Sequence, residues 1–357
     1  MQPSVLSETI TKWFRLDFLK TVEILLNMDR IANSEQQAFR VGFVLIDGFA
    51  LMSYSAAVEV LRAANLLAGR QLYAIRHVPA TGTQAVSSTG AIVEGTGKVG
   101  EDFDFDLVLV VAGGDPEKFR DRKVFRWLRQ LSQRNIRLGG VSGGPVVLAA
   151  AGLMEGKRMT VHWEHAAALA EVSPALIIER SLYVIDRDRI TCAGGTSPLD
   201  MMHAILTEHH GSRFARQVSD WFMHTEVRPS GGPQRSGLAE RYGTTHPAVI
   251  STIEMMENHI ADPLGLPQLA ALTGRSSRHL NRLFRHNLRE STMAFYRDMR
   301  LDMAHKLLMQ SPLTIMEIAL ATGFSTAAHF SKSFSNKFRI APSYLRSQRP
   351  HPLKNSW

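Results

Sequence analysis

Two stretches in the last third of the chain repeat one pattern. Residues 264–288 read LGLPQLAALTGRSSRHLNRLFRHNL, and residues 313–338 read LTIMEIALATGFSTAAHFSKSFSNKF. Each starts with a short run of apolar residues at helical spacing, passes a glycine (Gly274, Gly323), and continues into a second helical run. Leu266, Leu269 and Ala270 face inward in the first unit, followed by Leu280, Leu283 and Phe284. Ile315, Ile318 and Ala319, then Phe330 and Phe334, do the same in the second. Ser276 and Ser325 stand where N-caps of the second helices belong. Helix, tight turn, helix is the helix-turn-helix motif. A chain that writes it twice, around the longer amphipathic run MAFYRDMRLDMAHKLLM, is constrained to an all-α C-terminal domain.

Charge points the same way. Between 264 and 349 there are thirteen Lys/Arg and four Asp/Glu, a net +9, so the rest of the +8 chain carries −1. A near-neutral body with one basic end implies a polyanionic partner at that end. In a helix-turn-helix the second helix enters the DNA major groove and its N-terminal half meets base edges. The outward positions of the first such helix are Arg278, Asn281, Arg282 and Arg285; those of the second include Ala328, Ser331 and Lys332. Arginine pairs bidentately with guanine, asparagine with adenine, and small residues suit thymine methyls. Double-stranded DNA is therefore the expected partner.

The first half alternates instead. RVGFVLI, LYAIRHVPA, DLVLVVAGG and IRLGGVS are strand-like; YSAAVEVLRAANLLAG, KVFRWLRQLSQRN, GPVVLAAAGLM and PLDMMHAILTEHHG have helical spacing. This βα alternation predicts an α/β domain with a mostly parallel sheet covered on both faces. Periodicity is lost in RPSGGPQRSGLAERYGTTH, so the expected organisation is an N-terminal domain at 39–226, a linker at 227–246, a helical domain at 247–349 and a tail at 350–357. Residues 1–38 read either as an amphipathic extension or as an over-extended start, since Met28 stands shortly before the first strand.

Gly140-Val141-Ser142-Gly143-Gly144 fits G-x-S-x-G, the elbow on which hydrolases carry a serine. Such a serine needs a base and a group to orient it. Ser142, Asp200 and His203 make a triad on paper, but Asp200 and His203 lie three apart on one helix, a poor way to aim either at a separate serine. A sharp turn opening a helix also offers backbone N–H groups to an anion, and in open parallel sheets ligands bind at the strands' C-terminal ends. Ser142, Gly143, Gly114, His162 and Trp163 are the expected ligand-binding residues, with Glu59 as partner for a cation.

Two resemblances follow. SSRHLNRLFRHNL, STMAFYRDMRLDMAHKLL and IALATGFSTAAHFSKSFSNKFRIAPSYLR resemble the AraC/XylS family DNA-binding domain across about 264–346. That resemblance implies two reading helices in successive major-groove faces, with base contacts from Arg278, Asn281, Arg282, Ala328, Ser331 and Lys332. Residues 39–225 resemble the PfpI, amidotransferase-like family, which implies a flavodoxin-like sheet; its active members carry cysteine where Ser142 stands. Together they resemble sensor–reader fusions that regulate catabolism of arginine or of quaternary amines such as glycine betaine and carnitine. The expectation is a ligand-sensing transcriptional regulator that is not an enzyme, needs no cofactor or metal, binds a small effector, works as a homodimer with RNA polymerase as a further partner, and resides in the cytoplasm on the nucleoid. The rival reading is a Ser142 hydrolase or amidase tethered to DNA.

Several patterns carry less. GTGKVG at 95–100 is followed by a strand, not by the helix a dinucleotide site needs. His162 and His165 lack the companions of a metal site. One cysteine, Cys192, excludes an internal disulfide and suits a reducing compartment, and no apolar run reaches the roughly 20 residues of a membrane span.

Overall fold

The computed structural model describes residues 37–348 apart from 102 and 103. The expected N-terminal extension to residue 36 and the tail at 350–357 lie outside the described residues.

The α/β half starts with β1 (Phe39–Leu45), α1 (Leu51–Ala68) and β2 (Tyr73–Pro79). A small antiparallel hairpin, β3 (Gln84–Val86) and β4 (Ile92–Glu94), leads to β5 (Leu107–Ala112), α2 (Arg122–Gln133), β6 (Arg137–Ser142) and α3 (Gly144–Ala150). Then come β7 (Arg158–Met159), α4 (Trp163–Val172), β8 (Ile177–Ile178), β9 (Tyr183–Asp186), β10 (Arg189–Cys192), α5 (Ser197–His210) and α6 (Ser212–Trp221). The main sheet has the order β2-β1-β5-β6-β10-β9. Pairings β1–β5, β5–β6 and β6–β10 are parallel, and β9 closes the edge antiparallel to β10. LYVIDRDRITC is thus a hairpin, and Arg187 takes φ 57° in its turn. In RMTVHW only Arg158–Met159 pair as strand, because His162 already caps α4.

Burial on both faces explains the unbroken apolar runs. Val44, Val108, Val110 and Leu138 pack with Val124, Trp127 and Leu128 of α2 and Val147 of α3 in one core. The alternate residues Phe43, Leu45, Leu107, Leu109 and Val111 are buried as well. A strand covered on both sides loses the polar alternation of a half-exposed one.

The helical half holds α7 (Leu238–Tyr242), α8 (Pro247–Asn258), α9 (Leu266–Leu272), α10 (Ser277–Leu288), α11 (Thr292–Gln310), α12 (Ile315–Ala321), α13 (Ala327–Phe338) and α14 (Pro342–Ser347). It has two cores. Val249, Ile253, Leu269, Leu280, Phe284 and Tyr296 form one; Leu301, Ala304, Leu307, Ile318, Phe330 and Phe334 form the other. Helix α11 contributes its first turns to one core and its last turns to the other, which joins the two helix-turn-helix units.

The connecting segment is fastened to the α/β half. Arg228 donates to the buried Asp200 through its backbone N–H (2.8 Å) and guanidinium (2.7 Å and 3.0 Å), and Leu182 N–H donates to Ser230 O (2.8 Å). Gln234 Nε2 donates to Thr160 Oγ1, Val161 O and Ser181 O. Its Gly/Pro/Ser content removes periodicity without removing attachment points.

Candidate functional site

The elbow is built by close approach. Ser142 ends β6 with φ 60°, a left-handed conformation that costs a non-glycine residue roughly 1–3 kcal/mol. A Cβ on Gly144 would lie 1.9 Å from Val110 O, and one on Gly140 would lie 2.4 Å from Pro145 N, so strand and helix meet only with glycine at both places. On the far side a Cβ on Gly194 would lie 2.7 Å from that of Ser142. The turn is held by Gly143 N–H donating to Ala112 O (3.0 Å) and His162 N–H donating to Ser142 O (3.3 Å).

These bonds limit the chemistry. Gly143 N–H, the donor an oxyanion would need, is already used. His162 Nδ1 accepts the Glu164 backbone N–H of its own helix (3.4 Å), and burial holds its pKa below the ordinary 6.5. Deeper in, His165 is held down to about 4 by burial and by His162, and its Nδ1 has no hydrogen-bond partner. The Ser142–Asp200–His203 triad is not assembled. Asp200 is taken by His224 (2.9 Å) and Arg228, and His203 Nδ1 pairs with Ser219 Oγ (2.8 Å).

Around the elbow, three parallel strands end in glycine pairs: Gly113-Gly114 after β5, Gly143-Gly144 after β6 and Gly194-Gly195 after β10. A Cβ on Gly113 would lie 2.6 Å from Gly48 O in the first strand–helix loop, and Gly195 N–H donates to Ser53 Oγ (2.8 Å). Asp115, paired with Lys118, contributes to the field at His165.

The helical half presents a different surface. Ser276 caps α10 by accepting His279 N–H (3.2 Å), and Gly274 (φ 64°) and Gly323 (φ 73°) make the two turns. In the second unit the cap is Thr326, not Ser325: Thr326 Oγ1 accepts His329 N–H (3.2 Å). Both second helices end on an arginine in the left-handed region, Arg289 and Arg339. Arg278, Arg282 and Arg285 are exposed on α10, and Ala328 and Lys332 on α13; Ser331 is half-buried. Arg282 lies against His279 Nδ1 (3.2 Å).

The comparisons with known proteins divide at the same place. Residues 39–208 match the DJ-1/PfpI family, and residues 269–348 match a helix-turn-helix domain. The HTH-type transcriptional regulator GlxA of Rhizobium meliloti is 48% identical over 308 residues, covering 86% of this chain and 95% of its own length. The HTH-type transcriptional regulators CdhR and GbdR of Pseudomonas aeruginosa are 38% and 34% identical, over 86% and 87% of this chain and 91% and 84% of theirs. The chain belongs to this family of AraC-type transcriptional regulators with a DJ-1/PfpI domain. It is a DNA-binding transcriptional regulator. Among its described residues no helix is long and apolar enough to cross a membrane.

For the regulator, sequence and geometry agree unevenly. Ser142, Gly143 and His162 come together, with Gly114 at the neighbouring strand end. Glu59 does not serve as a free partner for a cation, since its carboxylate pairs with Arg62 at 2.6 Å. Trp163 does not offer an open face either, because Arg235 and Lys306 lie 4.5 Å and 4.9 Å from its ring centroid. Asn281 departs from the expected adenine reader: its Oδ1 accepts Thr292 N–H (3.0 Å), which fixes the start of α11. His165, Asp115 and Gly194 were not among the expected ligand-binding residues. The strand-end glycine pair in CAGG, echoing those in VAGG and VSGG, was the available signal.

Proposed function

We propose that the regulator senses a small metabolite in the crevice at the C-terminal ends of β5, β6 and β10, and that Ser142 does no covalent chemistry. The observation that carries this is the elbow itself. A strained serine is kept in place by its surroundings, with its expected oxyanion donor bonded and, among the described residues, no base hydrogen-bonded to its hydroxyl. Strain of that kind persists where the surroundings over-determine it, and it clusters at ligand sites. The unpartnered Nδ1 of buried His165 adds a polar group that a ligand or water can satisfy.

The effector we favour is an amino acid or a small cationic amine. Asp115, which follows the glycine pair at the end of β5, is the carboxylate we assign to its positive end, the ligand's cation there replacing Lys118. DNA contact falls to Arg278, Arg282 and Arg285 on α10 and to Ala328, Ser331 and Lys332 on α13. We further propose a homodimer formed through the α/β half, with RNA polymerase as a partner at the promoter. Met52, Leu66 and Leu67 on α1, and Trp221 and Met223 at the end of α6, are exposed large apolar residues on two helices that pack together.

Calorimetric titration of the purified chain with arginine, glycine betaine and carnitine tests the sensing reading. Heat from one of them, retained in Ser142→Ala, supports it; no heat from any sinks this effector class. Turnover of an amide or ester that disappears in Ser142→Ala would instead establish the hydrolase reading. Sedimentation of the full chain decides the dimer.

A further inference from the structure

One aromatic side chain links the elbow to the DNA-binding half. Trp163 opens α4 directly after His162, whose backbone N–H bonds the Ser142 carbonyl. Two cations from outside the sheet lie over its indole. The guanidinium of Arg235, from the connecting segment, is 4.5 Å from the ring centroid; Nζ of Lys306, from α11, is 4.9 Å away. Helix α4 also lies along α11, and Ala168 is part of the second helix-turn-helix core. Gln234, held by its three hydrogen bonds to the α/β half, fixes the residue before Arg235.

The charges here are unusual. Neither Lys306 nor Arg235 makes a salt bridge among the described residues. Burial lowers the pKa of both, and Arg235 lowers that of Lys306 further. Two like charges against one ring, each partly desolvated, gain compensation from its π face. Glu164, Asp302 and Glu257 act on Lys306 only through the field. Such an arrangement is favourable while the indole stays in place and unfavourable once it leaves.

We propose that Trp163, Arg235 and Lys306 form a cation–π latch between the two halves, and that the elbow loop controls whether it is closed. The control part rests on the reading of the crevice as an effector site. Closed, the latch fixes α11 and with it both reading helices. A ligand that displaces His162 moves the next residue, and the indole with it; the two cations then repel.

The test measures the distance between the halves in the full-length chain, with no ligand. Spin labels are placed on engineered cysteines at exposed Gln71 and Met316; native Cys192 is buried and stays unlabelled. The otherwise unsubstituted protein is expected to give one narrow distance. Trp163→Ala and Lys306→Gln are expected to raise the open population ~5- to 30-fold, the scale of a desolvated cation–π contact. Trp163→Phe and Lys306→Arg keep a ring and a cation and are expected to stay narrow. If Lys306→Gln, folded by circular dichroism, gives the unsubstituted distribution, the latch is overturned. Repeating the measurement with arginine, glycine betaine and carnitine tests the control. A ligand that gives heat must shift the distance, and a bound ligand that leaves it unchanged removes the elbow's control. No heat from the three, with the variants still opening, removes the effector reading and leaves the latch.

Discussion

Around the elbow Gly143 N–H, His162 Nδ1 and Asp200 are already bonded within the chain, whereas among the described residues the three exposed arginines of α10 make no salt bridge. Gly143 N–H goes to Ala112 O, His162 Nδ1 to its own helix, and Asp200 to Arg228 and His224. Arg278, Arg282 and Arg285 are instead exposed, with Arg282 also against His279 Nδ1. The difference separates the two kinds of recognition proposed for the two halves. A surface that reads DNA holds its cations in water, where phosphate and base edges can replace that water. A crevice that holds a small molecule keeps few open groups on a rigid frame, since an unpaired buried group is costly without its ligand.

The contrast breaks most severely at Asp200. Asp200→Ala removes the acceptor that anchors Arg228 and leaves His224 without a partner, with an expected loss of about 3 kcal/mol in urea unfolding. An unchanged midpoint would mean that the connecting segment is not fastened as described.

His165 comes next and brings a pH signature. Its pKa is lowered to about 4 in the folded chain, from an ordinary 6.5. The unfolded chain therefore takes up the proton first. Stability contributed by neutral His165 is whole above pH 6.5, falls as pH drops toward 4, and levels below that, by up to about 3 kcal/mol. His165→Leu should flatten that part of the stability–pH curve; a curve of unchanged slope contradicts the assignment.

On the reading face, Arg278→Ala or Arg282→Ala should each cost roughly 1–3 kcal/mol of discrimination between an operator and a scrambled duplex at fixed salt. Asn281→Ala should instead lower thermal stability by about 1 kcal/mol while leaving the base preference intact, because its oxygen accepts the Thr292 N–H at the start of α11. Loss of preference without loss of stability would return Asn281 to the readers. The smallest effect belongs to Ser142→Gly. Relieving a left-handed serine should leave stability unchanged or raise it by up to about 1 kcal/mol. A clear destabilisation would show that the hydroxyl does more than fill its site.

What the chain made legible was periodic or repeated. The βα alternation foretold the parallel order of β1, β5, β6 and β10, because a sheet buried on both faces must be written in apolar runs. The doubled helix-turn-helix was equally plain from its inward leucines and phenylalanines. G-x-S-x-G gave the elbow geometry because a Cβ at Gly140 or Gly144 would collide with backbone. What stayed hidden depends on partners distant in sequence. Nothing near Trp163 says that Lys306, 143 positions on, will lie over its ring. Nothing near Asn281 says that its oxygen is needed by Thr292. Thr326 displaced Ser325 as a cap by a single position, a choice between adjacent hydroxyls that local spacing does not settle. The segment around Arg228 looked loose because glycine and proline erase periodicity, while its attachment to Asp200 needs only one arginine.

Helix α11 runs 19 residues, ~28 Å at the usual rise, and each end is built into a different core. It works as a strut of fixed length and phase between the two units. If α10 and α13 both read bases, as proposed, substitutions on them retune which bases are preferred, while the register between the two units is set by the strut. One residue inserted midway would swing one unit about 100° around the other. On that reading, the promoters it recognises are free to drift in letters and tightly bound in spacing.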